Sequence, residues 1–178
     1  MRSLLAFAFA VMAFGTSASA ALPVGAKAPE FSTKGALAGK DFAFDLERAL
    51  DEGPVVLYFY PKAFTQGCTL EAHAFAEAMP DFKAAGAQVV GLSADDLPTL
   101  RKFSTEECRD AFPVATASPA VIKAYDVALV RKDGDTGLTD RTSYVVGRNG
   151  RIVMVHSEMD WRKHVQLTLA TVKKLAGK

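Results

Sequence analysis

Two rhythms of apolar and polar residues alternate along this chain. Residues 55–60, Val-Val-Leu-Tyr-Phe-Tyr, are an unbroken apolar run, the pattern of a strand covered on both faces of a sheet. From about Gln66 to Met79 the rhythm changes. Cys68, Ala72, Phe75, Ala76 and Met79 recur at helical spacing and form one apolar face. Pro80 is expected to end that helix or to begin a second segment. Residues 88–92 predict a second buried strand. Asp95-Asp96-Leu97-Pro98 predicts a helix start, with acids before it and proline in its first turn. That helix is expected to carry Leu100, Phe103 and Cys108. Residues 112–115 form a short extended piece, and residues 119–125 one or two helical turns. The β-branched runs 142–146 and 152–155 flank Asn149-Gly150, a hairpin signal. Asp160 is placed to cap a last helix with Trp161, Val165, Leu169, Val172 and Ala176 along one stripe. Nearer the start, residues 21–40 show little periodicity and predict an irregular lead-in. Residues 41–44 alternate as a short edge strand, and residues 45–50 predict a short helix closed by the turn at 51–54. This order predicts an α/β domain with a central mixed sheet flanked by helices.

The first twenty residues follow another logic. Arg2 supplies a short positive region, residues 4–14 are apolar, and Ala18-Ser19-Ala20 is a small-residue cleavage site. The pattern predicts a bacterial secretory signal peptide cut after Ala20, and an exported, periplasmic domain at residues 21–178. The apolar stretch is too short to span a bilayer, and it lacks a lipidation cysteine. Arg2 leaves with it, so the net charge of +1 falls to zero. Neither a nucleic acid nor, after cleavage, a membrane surface is an expected partner. No repeats, low-complexity segments or long charge runs interrupt the domain.

The chain has two cysteines. In an exported protein, two cysteines fit either a structural disulfide or a redox-active pair. Their positions are unequal. Cys68 falls in the first turn of the predicted helix 66–79, where unpaired N–H groups and the helix dipole favour thiolate over thiol. Thr65 stands at that helix's entry, a natural N-cap. The histidines His73, His156 and His164 are scattered without ligand spacing and read as solvated or hydrogen-bonded residues. Met154 and Met159 beside His156 make no distinctive copper pattern, and no metal or other cofactor is expected. Trp161 reads as a packing residue.

The stretch Pro61-Lys62-Ala63-Phe64-Thr65-Gln66-Gly67-Cys68 closely resembles the Pro-x-x-x-Thr-x-x-Cys motif of the peroxiredoxins, thiol peroxidases of thioredoxin-like fold. With Tyr58-Phe59-Tyr60 before it and Thr69-Leu70-Glu71-Ala72 after it, it is most similar to the bacterioferritin-comigratory, PrxQ-like branch. The resemblance implies that Cys68 attacks the peroxide, that Thr65 contacts thiolate and peroxide, and that Pro61 shields the sulfur. It also implies that Arg141, in Asp140-Arg141-Thr142-Ser143-Tyr144, faces Cys68 across the pocket. Glu71 matches an acid that helps hold this arginine; it reads equally as an ordinary acid near a helix N-terminus.

Many members of the branch carry a resolving cysteine five residues after the first. Here that position is His73. Cys108 is the remaining candidate for the resolving thiol, near where another subset of the branch carries one. The alternative is a buried free cysteine, with an external thiol resolving the sulfenic acid. The implied partners are a hydroperoxide, hydrogen peroxide or a small organic one, and a thioredoxin-like or small-thiol reductant. The implied assembly is a monomer or homodimer.

Three other readings compete. A thiol–disulfide oxidoreductase of the same fold needs Cys-x-x-Cys, and Glu71 occupies the second position. A copper chaperone needs two nearby cysteines. A binding module stapled by an inert Cys68–Cys108 bridge needs only the two cysteines.

Overall fold

The computed structural model describes residues 21–177. The predicted signal peptide lies outside the described residues. Seven strands form the main sheet: β1 Ser32–Leu37, β2 Lys40–Asp45, β3 Val55–Phe59, β4 Gln88–Ser93, β5 Val114–Thr116, β8 Thr142–Val146 and β9 Ile152–Ser157, in the order β2-β1-β5-β4-β3-β8-β9. The core pairs β3–β4 and β4–β5 are parallel. The pairs β1–β2, β1–β5, β3–β8 and β8–β9 are antiparallel. The sheet is therefore mixed. Helices α2 Gln66–Ala84, α3 Leu97–Glu106 and α5 His164–Leu175 supply one apolar layer, and α1 Leu46–Glu52 and α4 Pro119–Ala124 supply the other.

The unbroken apolar run of β3 follows from its position. Val56 and Tyr58 enter one core, while Val55, Leu57 and Phe59 enter the other. Each such side chain contributes roughly 1.5–3 kcal/mol by leaving water. Gly91 of β4 lies opposite Tyr58 in the ladder, where a Cβ would come within 2.8 Å of the Tyr58 ring. That ring is stacked on Phe75 at 4.4 Å, so it has no room to yield.

Three expectations are corrected, and one unexpected element appears. Residues 21–40 contain β1, whose sequence Ser-Thr-Lys-Gly-Ala-Leu buries only Gly35 and Ala36 between two neighbouring strands. Small residues at the covered positions left no apolar rhythm. Helix α2 runs through Pro80 to Ala84. Pro80 is exposed, and burial of Phe82 beside Phe75 carries the helix past it. Helix α3 ends at Glu106, and Cys108 lies in the turn beyond it. Finally, β6 Ala128–Arg131 and β7 Gly134–Thr139 form a separate antiparallel ribbon that the sequence did not announce. It is largely exposed on both faces, so burial imposed no alternation on it.

The hairpin around Asn149-Gly150 forms, with Gly150 in the left-handed region at φ 71°. Asp160 caps a short 3₁₀ turn, Trp161–Lys163, by accepting from the Arg162 N–H, and α5 follows directly.

Candidate active site

The segment 60–68 leaves β3 and turns into α2. Its path is held from both sides. The Ala63 N–H donates to Asp95 Oδ2 at 2.8 Å, and the Thr139 hydroxyl donates to the Tyr60 carbonyl at 2.6 Å. Asp95 also accepts from the Ser93 hydroxyl at 2.8 Å. In the sequence Asp95 reads only as an acid before a helix; its hold on this loop joins residues far apart in the chain. Phe64 adopts the left-handed conformation, φ 63°, rare for a bulky residue, with its ring edge-on to Phe103 at 5.3 Å.

Pro61 follows the end of β3 and is half-buried. Thr65 is the N-cap residue of α2, but its side chain makes no cap bond. Its hydroxyl donates to the Lys62 carbonyl at 2.9 Å, which leaves the oxygen's lone pairs free to accept. Cys68, third residue of α2, is buried, as are Glu71 on the same helix and Arg141 at the entrance of β8.

Arg141 joins these groups. Its Nη2 donates to Cys68 Sγ at 3.4 Å, its Nε donates to the Met159 carbonyl at 3.0 Å, and its Nη1 pairs with Glu71 Oε2. Gly67 makes the approach possible: a Cβ there would stand 3.2 Å from Arg141 Nη2 and 3.9 Å from the Trp161 ring. Burial opposes the charge on Arg141, but Glu71 and Cys68 outweigh it and raise its pKa, so it stays a guanidinium. Burial pushes the Glu71 carboxyl up to about 8, against the pull of Arg141.

Behind this group lies a histidine that the sequence reading set aside as solvated or hydrogen-bonded. His164 is fully buried. Its Nε2 meets the Glu158 carbonyl at 2.8 Å and its Nδ1 meets Ser143 Oγ at 2.8 Å. Burial pushes its pKa down to about 4. Its interior placement had no signal in the sequence, because a lone histidine at a helix start carries no ligand spacing. His156 packs against its ring at 4.5 Å.

Cys108 and Cys68 are both free thiols within one apolar cluster, which also contains Tyr58 and Tyr60. Burial, then the nearby acids Glu107 and Asp110, push the Cys108 thiol well above its usual range. The turn that carries it has two consecutive left-handed residues, Arg109 at φ 52° and Asp110 at φ 57°. His73, which holds the position five residues after Cys68, reaches this turn: its Nε2 lies 2.7 Å from Glu107 Oε2. Arg109 pairs with Glu77 of the same helix at 3.2 Å. A cavity of about 550 Å³ opens on another side of Arg141, lined in part by Leu129, Val130, Ser157 and Met159.

The arrangement offers a buried sulfur with a fixed cation on it, a free acceptor hydroxyl at the same loop, and a second thiol under a strained turn. That combination suits nucleophilic attack by sulfur on a weak O–O bond.

Comparison with known proteins places the chain in a family. The profile of the AhpC/TSA family matches residues 24–155. The chain is 35% identical over 123 residues to the chloroplastic peroxiredoxin Q of Suaeda salsa, covering 68% of this chain and 56% of that one. It thus spans little more than half the length of the curated relatives it matches. Among solved structures, peroxidoxin BcpB from Mycobacterium tuberculosis superposes with a TM-score of 0.75 at 28% identity, covering 85% of this chain and 97% of that one. The bacterioferritin comigratory protein of Xanthomonas campestris, solved in connection with its alkyl peroxide reduction activity, superposes with a TM-score of 0.70 at 28% identity, covering 80% and 91%.

Two predictions follow the geometry. Gly67→Ala should displace the Arg141 guanidinium and lower the rate of Cys68 oxidation by peroxide about tenfold, while the helix propensity gained, about 1 kcal/mol, offsets much of the crowding in stability. Stopped-flow oxidation beside urea unfolding measures both. The pH dependence of stability should have two opposed limbs. His164 is held neutral, so its contribution is present above its unfolded pKa of 6.5 and is lost as pH falls through about 4. Glu71 is held protonated, so its contribution is present below 4.5 and is lost as pH rises through about 8. Urea unfolding across this range should show His164→Gln flattening the acid limb, an effect of order 3 kcal/mol, and Glu71→Gln flattening the alkaline one.

Proposed function

Because the chain belongs to the AhpC/TSA family, on its PrxQ and bacterioferritin-comigratory branch of peroxiredoxins, we propose that it is a thiol peroxidase in which Cys68 reduces hydroperoxides. The observation that carries this reading is the Arg141 Nη2–Cys68 Sγ contact at 3.4 Å, built onto the first turn of α2.

The Cys68 thiolate attacks the distal peroxide oxygen. An S–O bond forms as the O–O bond breaks, and the departing alkoxide or hydroxide takes a proton from water. Arg141 supplies donors to the charge that moves from sulfur to oxygen. The Thr65 hydroxyl accepts from the peroxide O–H and orients it, and Pro61 limits access to the sulfur. Glu71 holds Arg141 in place.

Cys108 is the proposed resolving thiol. Its sulfur attacks the Cys68 sulfenic acid, an S–S bond forms, and the displaced hydroxide combines with the Cys108 proton as water. While buried, Cys108 is a poor nucleophile, because burial keeps it a thiol. The turn with Arg109 and Asp110 in left-handed conformations is a strained segment whose opening would free it. A thioredoxin-like or small-thiol donor then reduces the disulfide by exchange.

Both hydrogen peroxide and small organic hydroperoxides fit as substrates. The cavity beside Arg141, with Val130 and Met159 in its wall, could seat an organic tail, and the Xanthomonas relative is studied for alkyl peroxide reduction. The enzyme is further proposed to act in the periplasm, as a monomer or homodimer.

Stoichiometric hydrogen peroxide on the reduced protein, followed by intact mass and disulfide mapping, tests the chemistry. A fast Cys68–Cys108 bridge is expected. Cys68→Ser should abolish oxidation, Arg141→Ala should slow it by about 10² or more, and Cys108→Ser should stop at the sulfenic acid. Undiminished oxidation in Arg141→Ala overturns the role of Arg141, and an unreactive Cys68 returns the stapled binding module to first place. For the location, periplasmic fractionation with N-terminal sequencing should recover a chain beginning at Ala21; a cytosolic chain retaining Met1 or Arg2 overturns export.

A further inference from the structure

The buried carboxyl of Glu71 has one oxygen on Arg141 and one unaccounted for. Oε1 is fully buried and has no hydrogen-bond partner among the described residues. It faces His164 Nδ1 at 3.8 Å. The proton on the imidazole can be placed from its other contacts. Nε2 lies 2.8 Å from the Glu158 carbonyl, which can only accept, so Nε2 carries a hydrogen. In the neutral ring Nδ1 is then a lone pair, and the Ser143 hydroxyl at 2.8 Å donates to it. An ionised Glu71 would therefore point an unbonded carboxylate oxygen at an imidazole lone pair in a dry interior. Leaving such an oxygen unpaired is costly.

We propose that His164 is a positioning residue for the peroxide step: its neutral ring, facing Glu71 Oε1 with a lone pair, keeps Glu71 a carboxylic acid, so that the charge of Arg141 is left to Cys68. The inference rests on Cys68 being the peroxide-reactive thiol. At 3.8 Å the two groups do not hydrogen-bond, so the proton stays on the Glu71 carboxyl and the imidazole, with Nδ1 taken by the Ser143 hydroxyl, stays neutral.

Charge counting gives the consequence. With the proton in place, the Glu71–His164 pair is neutral, and the Arg141 cation balances a Cys68 thiolate. Without it, the Glu71 carboxylate competes with the thiolate for the same guanidinium, and a buried cluster of one cation and two anions is unfavourable.

The charged and titratable groups around His164 come from every element packed on it. Glu71 stands on α2 and Arg141 at the entrance of β8. His156 stands on β9, with Glu158 and Asp160 beyond it. Arg141 and His156 oppose a charge on the ring, while Asp160 and the Glu158 carbonyl favour it. Burial also resists that charge, as it resists a charge on Glu71, which places the resting proton on the carboxyl.

The test is the second-order rate constant for hydrogen peroxide with the full reduced protein across pH 5.5–9.5. It is followed by the fluorescence of Trp161, the chain's single tryptophan, which stands beside Gly67. Wild type should show a fall in rate at alkaline pH as the Glu71 proton is lost. His164→Leu should move that fall to lower pH by at least about one unit and slow the neutral-pH reaction about tenfold. Glu71→Gln should lose the alkaline fall, and the double variant should recover part of the rate lost in His164→Leu, because a neutral amide does not compete for Arg141. A merely structural His164 would lower the rate equally at every pH, with no rescue by Glu71→Gln; that result overturns the proposal. If His164→Leu does not fold, Glu71→Gln decides alone, and an alkaline fall that persists in it overturns the proposal. A wild type inert to peroxide removes the reaction itself, a different outcome from a reactive wild type whose alkaline limb ignores Glu71.

Discussion

A guanidinium buried between a helix and a strand organises the active end of this molecule. Arg141 uses all three of its nitrogens: one on Cys68, one on Glu71, one on the Met159 carbonyl. Burying a cation costs several kcal/mol unless its donors are matched. Matching them ties together α2, the entrance of β8 and the segment after β9. The rigid fork of arginine suits this, because its nitrogens face different elements at fixed angles. Gly67 leaves the space through which the fork reaches the sulfur.

The neighbourhood is arranged to keep that cation available. The loop from Tyr60 to Cys68 is pinned by Thr139 on one side and by Asp95 on the other. The Glu71 carboxyl, sealed in the interior, resists ionisation although it touches an arginine. His164, fixed by a carbonyl and a serine hydroxyl, closes the back of the group. The two cysteines share an apolar cluster yet differ in setting. Cys68 sits at a helix start beside a cation; Cys108 sits under a strained turn beside two acids. The first setting places a guanidinium donor on the sulfur, while burial and the acids of the second keep Cys108 a thiol.

Much of this is legible in the sequence alone. The strand at 55–59, the helix from Gln66, the strand at 88–93 and the hairpin around Asn149-Gly150 were visible because burial imposed strong periodicity, or because a turn needed a particular backbone. The motif from Pro61 to Cys68 and the context of Arg141 pointed to residues that the fold brings together, Arg141 with Cys68 and Glu71. Elements with a weak burial signature went unseen: β1, covered only at Gly35 and Ala36, and the exposed ribbon β6–β7.

By itself, then, the sequence determined the α/β order, the placement of Cys68 in the first turn of a helix and the residue types around it. These depend on local spacing and on which residues leave water, both written in neighbouring positions. Tertiary structure alone decided the hold of Asp95 on Ala63, the reach of His73 to the turn of Cys108, and the burial of His164 behind Glu71. Those contacts join side chains distant along the chain, and their chemistry depends on the loss of water around them, which no local pattern records.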